Sequence, residues 1–444
     1  MLLFFLGGLS NGLPGVLTWQ TLSIWMRQLG YSNSIITLMF LTGLPYTFKF
    51  LLSPIVDHYH PPFLKRYFGK RCGWAIAMQV MMLLSLIGLG TVGAQKSLLW
   101  TGFFCFITSL CASINQTATV AHRIEILNDD ETPQAVAIGI MGYRIGKLIG
   151  HAGALYLMSY LPWHIIYYSL SFVLVLSIAL YTTTPEQSFG ETKSVYEPKV
   201  LAVIQKKHPF VFKQPILVHL YCTIAIPFLY FRKNNTEWKK ILGLLLLINI
   251  GDDLILGITD LFFLDLGFSP IQIANIAKVF GLFCSISGGL LAAALARHYH
   301  LIRTLGIAAI ARALSHLLLI LLSLKGADPN LLILTVTAEY FTSGMKAALI
   351  ATLISNLCSR LHHTGSQYAF FSSIKAIPLI ITSSLSGLLI DRSSWPIFFI
   401  VSFFLSLPGI MIVFSIPNNS IKKSSYNDFN MLRLTQFEKS LENA

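Results

Sequence analysis

Residues 241–265 read ILGLLLLINIGDDLILGITDLFFLD, a nearly continuous apolar run interrupted by the acids Asp252, Asp253 and Asp260. A transmembrane helix needs roughly 20 apolar residues, so this run is long enough to cross a bilayer. An ionisable side chain inside such a helix costs roughly 3 kcal/mol on insertion scales, and it normally faces the bundle interior or a wet cavity. The stretch therefore predicts a membrane helix with one face turned to a polar interior.

Runs of the same kind recur along the whole chain of 444 residues, which is 54% hydrophobic and only 11% charged. Soluble domains carry about 25% charged residues. We predict an all-α integral membrane protein with about twelve transmembrane helices in two six-helix bundles. The predicted spans are 2–26, 33–56, 74–94, 98–120, 134–159, 164–182, 241–265, 270–296, 302–324, 330–357, 366–390 and 396–416.

The polar segment 183–240, rich in Lys, Pro, Glu and Thr, divides the two sets of spans. We predict an N-terminal bundle (1–182), a C-terminal bundle (241–416) and a cytoplasmic tail (417–444), with the polar segment as a cytoplasmic linker. The linker contains an apolar run at 215–231. We interpret that run as an interfacial or re-entrant segment, because a thirteenth span would move the basic connections of the second half to the other side.

The orientation follows from Lys and Arg in the connections, because positive residues stay on the cytoplasmic side. Most of these residues fall on the side of the two termini, and only four lie on the other side: Arg27, Lys96, Lys325 and Arg392. We therefore predict that both termini are cytoplasmic. The net charge of +13 is explained by this bias and by attraction to anionic headgroups rather than by nucleic-acid binding.

Basic side chains outnumber acidic ones inside the predicted spans. The bases are Lys49, Arg144, Lys147, Lys278, Arg312, Lys346 and Lys375. The acids well inside are Asp252, Asp253, Asp260 and Glu339. Because Arg and Lys donate charge-assisted hydrogen bonds to carboxylates and phosphates, this excess favours a cavity for an anionic substrate.

The fifth span has two distinct faces on a helical wheel. One face carries four glycines: Gly142, Gly146, Gly150 and Gly153. The opposite face carries Arg144, Lys147 and His151. Small residues at this spacing allow close helix contact, which leaves the basic face to line a cavity or to pair with acids of the second half.

The acids of the second half could bind protons or hold structural ion pairs. In the seventh span Asn249, Asp253 and Asp260 share one helical face, and in the tenth span Glu339 and Lys346 do so. Proton coupling and structural pairing with lysines both remain open at this point. The candidates for proton coupling are Asp252, Asp253, Asp260 and Glu339.

The sequence contains no phosphate-binding loop, no metal-spaced His pair within one helix and no serine nucleophile elbow. The six cysteines show no paired metal or redox spacing. We therefore expect no enzymatic activity, no cofactor and no metal.

Segments along nearly the whole chain carry a family resemblance. The most specific are Gly8–Pro14 in the first span and Phe48-Lys49-Phe50-Leu51 in the second. Others are Gly142-Tyr143-Arg144, Gly251-Asp252, Lys278 with Gly281-Leu282, and Gln367-Tyr368-Ala369. In these segments the chain resembles the anhydromuropeptide permeases, the AmpG-type members of the major facilitator superfamily.

The resemblance implies proton-driven import of N-acetylglucosaminyl-1,6-anhydro-N-acetylmuramyl peptides across the bacterial inner membrane, for cell-wall recycling. It implies a monomer whose partners are an anionic muropeptide, protons and the lipid bilayer. The candidate substrate-binding residues are Lys49, Arg144, Lys147, Lys278, Asn115 and Gln116. The loop after the second span is the candidate for a conformational role, with Asp57, Arg66 and Arg71.

One departure from the family concerns the fourth span, where the family carries two aspartates and this chain has Gln116 and Val120. Neither residue can carry a proton. Coupling must then use an acid of the second half, or the substrate differs. Two alternatives stay open: a major facilitator transporter of another anion, such as an acyl-coenzyme, nucleotide or siderophore, and a non-transporting membrane sensor derived from the fold.

Overall fold

The computed structural model describes residues 1–59, 61, 64–126, 132–184, 218, 221, 228, 231–232, 235–357 and 364–417. The described residues are helical or lie in short connections, with no strand among them. The predicted tail and most of the predicted linker, with most of its apolar run 215–231, lie outside them. Two described residues of that run, Phe228 and Phe231, pack against Phe370 and Phe371.

Twelve long helical segments occur in the described ranges, and a short helix, Leu64–Phe68, connects the second with the third. They are α1 (Leu2–Gln28), α2 (33–58), α3 (Lys70–Lys96), α4 (Leu98–Ile126), α5 (132–157), α6 (Trp163–Thr183), α7 (Trp238–Asp265), α8 (270–298), α9 (Leu301–Lys325), α10 (Pro329–Leu357), α11 (Thr364–Ile390) and α12 (Trp395–Ser415). Nine of the twelve, all except α2, α5 and α10, are long and apolar enough to cross a membrane.

The helices pack in two groups. In the first group α1 lies against α5, and α3 lies between α4 and α6. In the second group α8 lies against α10, and α9 lies between α10 and α12. The principal contact between the groups is made by α11, which packs along α2, and a second one joins α5 to α8. We call the groups α1–α6 and α7–α12 the N-terminal and C-terminal halves.

The contact between α1 and α5 depends on glycine. A Cβ atom added at Gly142 would lie 2.1 Å from the carbonyl oxygen of Phe5, and one at Gly146 would lie 2.5 Å from the carbonyl oxygen of Leu9. On the α1 side, a Cβ at Gly12 would lie 2.1 Å from a backbone oxygen of α5. The predicted packing face of α5 is confirmed, and its opposite face, with Arg144, is left free of α1.

Replacement of Gly142 by alanine is therefore expected to reduce the yield of folded protein strongly, because the new methyl group meets backbone rather than a movable side chain. Gly102→Ala is the matched control, since a Cβ at Gly102 in α4 would have no neighbour within 4 Å. The measurement is the fraction of monodisperse protein after detergent extraction. Equal recovery of the two variants would contradict the close α1–α5 contact.

One apolar core joins the two halves at a single end of the molecule. There Trp25 stacks on Trp163 in the N-terminal half, and Phe262 packs on Phe399 in the C-terminal half, all within one continuous cluster of buried side chains. The other apolar clusters of the described residues each belong to one half. We call the end where α1 finishes at Gln28 the closed end, because burial of apolar surface holds the halves together there.

Three helices contain a π-helical turn where the halves meet. These turns are Leu17–Thr21 in α1, Ile149–Gly153 in α5 and Ile273–Phe280 in α8. The turn of α5 contacts the other two. Because π-turns are frequent at functional sites, we expect a functional site next to the point where these three turns meet.

Candidate functional site

A cavity of about 750 Å³ lies between the two halves. Its lining comes from α1 and α5 on one side and from α7, α8, α9, α10 and α11 on the other. Ten of the lining residues have acidic or basic side chains: Arg144, Lys147, His151, Asp252, Asp253, Lys278, Arg312, Glu339, Lys346 and Lys375. The volume is suited to a molecule of many heavy atoms rather than to a single ion.

Each of the three π-turns contributes one residue to the cavity lining. Gln20 comes from α1, His151 from α5 and Lys278 from α8. The wider turn changes the direction in which successive side chains point, compared with a regular α-helix. The π-turns therefore place polar groups from both halves on the wall of one cavity.

The three central acids lie on α7, which is interrupted twice. Its helical pieces are Trp238–Leu247, Ile250–Leu256 and Thr259–Asp265. The middle piece lies close to α12 and α11, because a Cβ at Gly251 would be 2.4 Å from the carbonyl oxygen of Ser402, and a Cβ at Gly257 would be 2.9 Å from that of Ser383. The interruptions give the acids of α7 different surroundings.

Asp252 lies in a cluster of cations. Its carboxylate forms an ion pair with Lys346, lies 3.1 Å from Nε of Arg312 and lies 3.2 Å from Nε2 of His316. Arg312 also donates through Nη1 to Glu339 at 2.5 Å. This network joins α7, α9 and α10, and its two carboxylates are balanced by one lysine and one arginine.

Asp260 connects the two halves. Its carboxylate forms an ion pair with Lys278 of α8 and lies 3.1 Å from Nε2 of His151 in α5. All three side chains are buried or nearly so. For Asp260, the geometry shows the structural pairing that the sequence left open as one of two roles.

Asp253 has no comparable partner among the described residues. The residue is only 8% exposed, and its Oδ2 atom is buried without a hydrogen-bond partner. Lys375 lines the same cavity and lies within electrostatic reach, but the two side chains are not within ion-pair distance. Of the four candidate acids for proton coupling, Asp253 is the one that no cation holds.

Arg144 and Lys147 project from α5 into the cavity, and both are exposed to it. Within the described ranges, no carboxylate lies within ion-pair distance of either side chain. Lys147 lies over the ring of Tyr143, with Nζ 5.9 Å from the ring centroid. These two cations therefore line the cavity and do not form an ion pair with the described acids of the second half.

The other candidate substrate-binding residues lie elsewhere. Asn115 is fully buried, donates to Oδ1 of Asn11 at 2.7 Å and accepts from Gln79 at 3.2 Å, which ties α4 to α1 and α3. Gln116 and Lys49 are partly buried and are not among the residues that line the cavity. A role of these residues in substrate binding stays a prediction.

The candidate loop after α2 is described in part. Arg71 is 8% exposed and donates to the carbonyl oxygen of Val56 at 3.3 Å, while Arg66 is exposed. The side chain of Asp57 lies outside the described residues. The conformational role of this loop also stays a prediction.

Polar contacts also join the two halves at the closed end. Arg27 of α1 forms a 2.5 Å ion pair with Asp265 of α7. Asp391, just beyond α11, accepts from Nδ2 of Asn33 and from the backbone N–H of Ser34, each at 2.8 Å, at the start of α2. Partial burial raises the pKa of Asp391, but the hydrogen bonds from Ser34 and Asn33 outweigh that effect and hold the pKa below its usual range.

Two helical halves around a charged central cavity, joined at one end, have the architecture of a polytopic membrane transporter. The sequence model of the Major Facilitator Superfamily matches residues 2–247, and the chain belongs to this superfamily. The predicted fold class, with about twelve membrane helices in two six-helix bundles, is confirmed.

Curated relatives of this chain include AmpG-type transporters, in agreement with the family resemblance predicted from the sequence. A putative transporter AmpG 4 of Rickettsia felis is 27% identical over 413 residues, which covers 92% of this chain and 94% of the relative. The anhydromuropeptide permease of Escherichia coli K12 is 26% identical over 408 residues, which covers 91% of this chain and 77% of the permease. The chain is therefore similar to AmpG-type permeases over nearly its whole length.

Solved structures show the same fold. A D-xylose–proton symporter has a TM-score of 0.68 at 13% sequence identity, covering 94% of this chain and 98% of the symporter. A POT family transporter in complex with 5-aminolevulinic acid has a TM-score of 0.68 at 15% identity, covering 95% of this chain and 96% of that one. At these identities the likeness concerns the fold alone.

Proposed function

We propose that the protein is a secondary active transporter that imports anionic anhydromuropeptides across the bacterial inner membrane together with protons. The observation that carries the proposal is the cavity between the halves, whose lining includes two α5 cations, Arg144 and Lys147, without carboxylate partners among the described residues. The similarity to the anhydromuropeptide permease supports the choice of substrate.

Substrate binding is assigned to Arg144 and Lys147. Both lie on the α5 face opposite the glycines, so the close α1–α5 contact fixes their position. Charge-assisted hydrogen bonds to a carboxylate are roughly twice as strong as neutral ones, and the peptide part of a muropeptide carries several carboxylates. An unpaired cation in a membrane protein is costly, and an anionic substrate would offset that cost.

Proton binding is assigned to Asp253. Protonation of Asp252 or Asp260 would remove the charge that balances their buried cations. Protonation of Asp253 breaks no ion pair of the described residues. A proton can therefore be gained and lost at Asp253 while the networks around its neighbours stay intact.

The closed end supports transport by alternating access. With both termini cytoplasmic, as the distribution of Lys and Arg predicts, this end faces the periplasm and the described conformation is inward-open. Uptake from the periplasm then requires separation of Arg27 from Asp265 and of Asp391 from the start of α2. These polar contacts are partly exposed, so each contributes little to holding the halves together, and the apolar core at the same end must separate with them.

The test is uptake of labelled anhydromuropeptide into proteoliposomes, with and without an inward proton gradient. We expect gradient-driven accumulation by the wild-type protein, and a loss of about tenfold or more at low substrate concentration for Arg144→Gln, because one charged hydrogen bond is removed. Lys325→Gln is the matched control, since Lys325 is an exposed lysine at the end of α9.

Folded wild-type protein that neither binds nor accumulates the muropeptide would contradict the proposed substrate. Direct binding and uptake measurements with acyl-coenzymes, nucleotides and siderophores would then identify another anion. Binding without any release to the opposite side would favour the sensor alternative, since a sensor does not need to expose its central residues to both sides.

A further inference from the structure

The charges of the cavity are not balanced. Six Lys and Arg side chains line it, against the carboxylates of Asp252, Asp253 and Glu339 on the wall and Asp260 directly behind Lys278. With all carboxylates ionised, the cavity has an excess of two positive charges. Two positive charges remote from bulk water are costly, so the cavity is suited to a ligand of matching negative charge.

The ion pairs assign the excess to particular residues. Lys278, Arg312 and Lys346 each contact a carboxylate, so their charges are compensated within the C-terminal half. Arg144 and Lys147 on α5 have no such contact in the described ranges. Lys375 on α11 likewise has no carboxylate of the described residues within ion-pair distance of its Nζ. These three cations and the carboxylate of Asp253, which is also without an ion pair, together account for the excess of two charges.

The location of Lys375 separates it from the other uncompensated cations. Arg144 and Lys147 belong to the N-terminal half, whereas Lys375 belongs to the C-terminal half, and the cavity lies between them. A cavity of about 750 Å³ is much wider than one carboxylate group. One small anion therefore does not compensate both walls.

We infer that Lys375 is a second anion-binding residue of the cavity, and that the transported molecule carries at least two separated anionic groups, one received by Arg144 and Lys147 and one by Lys375. The inference rests on the proposed function and specifies its substrate class. The first group anchors the substrate to the N-terminal half and the second to the C-terminal half. A substrate bound in this way holds the two walls of the cavity at a defined separation.

The place of Lys375 on α11 strengthens the inference. The same helix makes the main contact with the N-terminal half, where the hydroxyl of Thr37 donates to the carbonyl oxygen of Ser384 at 3.1 Å. Pro378 lies within α11, one turn after Lys375, and it removes a backbone hydrogen bond there. An anion bound by Lys375 therefore acts on a helix that already connects the halves.

The test compares two probes that differ in their number of carboxylates. One is the peptide-free disaccharide of N-acetylglucosamine and 1,6-anhydro-N-acetylmuramic acid, with a single carboxylate, and the other is the same disaccharide with its tripeptide, in which an amide bond replaces that carboxylate and the peptide supplies several others. Affinity is measured by titration of the purified full-length protein. The variants are Lys375→Gln, Lys375→Arg, Arg144→Gln and the control Lys325→Gln.

We expect Lys375→Gln to lower the affinity for the tripeptide probe by about tenfold to a hundredfold, and to change the affinity for the disaccharide by less than about twofold. Lys375→Arg should retain most of the tripeptide affinity, because it keeps the charge. Arg144→Gln should lower the affinity for both probes, and Lys325→Gln should change neither affinity. An equal loss for both probes in Lys375→Gln, or no loss for either, would overturn the inference.

Wild-type protein that binds neither probe would contradict the proposed substrate but would not test the role of Lys375. That role is then tested with simple anions, by their effect on the Tm of the protein. Citrate should raise the Tm of the wild-type protein more than acetate does at equal ionic strength. Lys375→Gln should remove that difference, whereas Lys325→Gln should keep it. A difference that persists in Lys375→Gln would overturn the inference independently of the muropeptide.

Discussion

Replacement of Asp253 by asparagine is expected to abolish accumulation of substrate against a concentration gradient. The amide has nearly the shape of the carboxylic acid but cannot release a proton, so a coupled cycle has no group to carry the ion. Because Oδ2 of Asp253 is buried without a partner, the amide also breaks no ion pair of the described residues. The folded structure should therefore tolerate the change.

The measurement is uptake by Asp253→Asn proteoliposomes under an inward proton gradient, together with exchange of labelled for unlabelled substrate without a gradient. We expect driven uptake to fall to the level of protein-free vesicles while exchange continues, since exchange needs no net proton movement. Asp328→Asn is the control, because Asp328 lies in the connection between α9 and α10. Driven uptake retained by Asp253→Asn would exclude this residue as the proton carrier.

Replacement of the adjacent residue, Asp252→Asn, is expected to have a different consequence, a large loss of stability. Its carboxylate contacts Lys346, Arg312 and His316, and its removal leaves Lys346 buried without a carboxylate partner in the described ranges. Removal of one partner from a buried ion pair typically costs about 3–5 kcal/mol, because the remaining charge is uncompensated.

The effect is measured as a decrease in Tm of the purified protein and in its monodisperse yield. Asp328→Asn should change neither by much, since its partner Lys325 is exposed. The double variant Asp252→Asn with Lys346→Met should recover part of the stability, because it removes the stranded charge. A Tm of Asp252→Asn equal to that of the wild-type protein would show that the cluster contributes little to folding.

The faces of α5 could be predicted because they follow from helical periodicity alone. Glycines at positions 142, 146 and 150 recur about every helical turn, and the structure places them against α1. Arg144 and Lys147 consequently face the other way and line the cavity. Local repeat patterns of this kind are carried by the sequence itself and need no knowledge of the partner helix.

The surroundings of the acids could not be predicted in the same way. A regular helix would place Asp253 and Asp260 on one face, but α7 is interrupted between its helical pieces at 248–249 and again at 257–258. Asp260 consequently forms ion-pair contacts with residues of α5 and α8, while Asp253 has no ion-pair partner among the described residues. The interruptions depend on close contact of α7 with α11 and α12, which is a tertiary effect.

The sequence offered pairing of the basic α5 face with acids of the second half as one alternative, and His151 makes such a contact with Asp260, but the individual partners of the other charged residues were not predicted. The spacing of Glu339 and Lys346 placed both on one face of a single helix. The structure joins them across helices instead, Arg312 to Glu339 and Lys346 to Asp252. The contacts of Asp391 with α2 were missed as well, because a single acid after a span has no distinctive pattern.

The three π-turns have a consequence for how the length of this chain can change. A π-turn accommodates one residue more than the same stretch of α-helix, so it is the product expected from a single-residue insertion. Because the π-turn holds the extra residue locally, deletion of one residue from Ile149–Gly153 would restore regular winding and leave the flanking parts of α5 in their present relative orientation, whereas the same deletion in a regular stretch would rotate the remainder by about 100°. His151 would then lose its direction toward Asp260. A deletion of one residue at this place is therefore expected to change the direction of His151 while the rest of α5 keeps its position, unlike a deletion elsewhere in the helix.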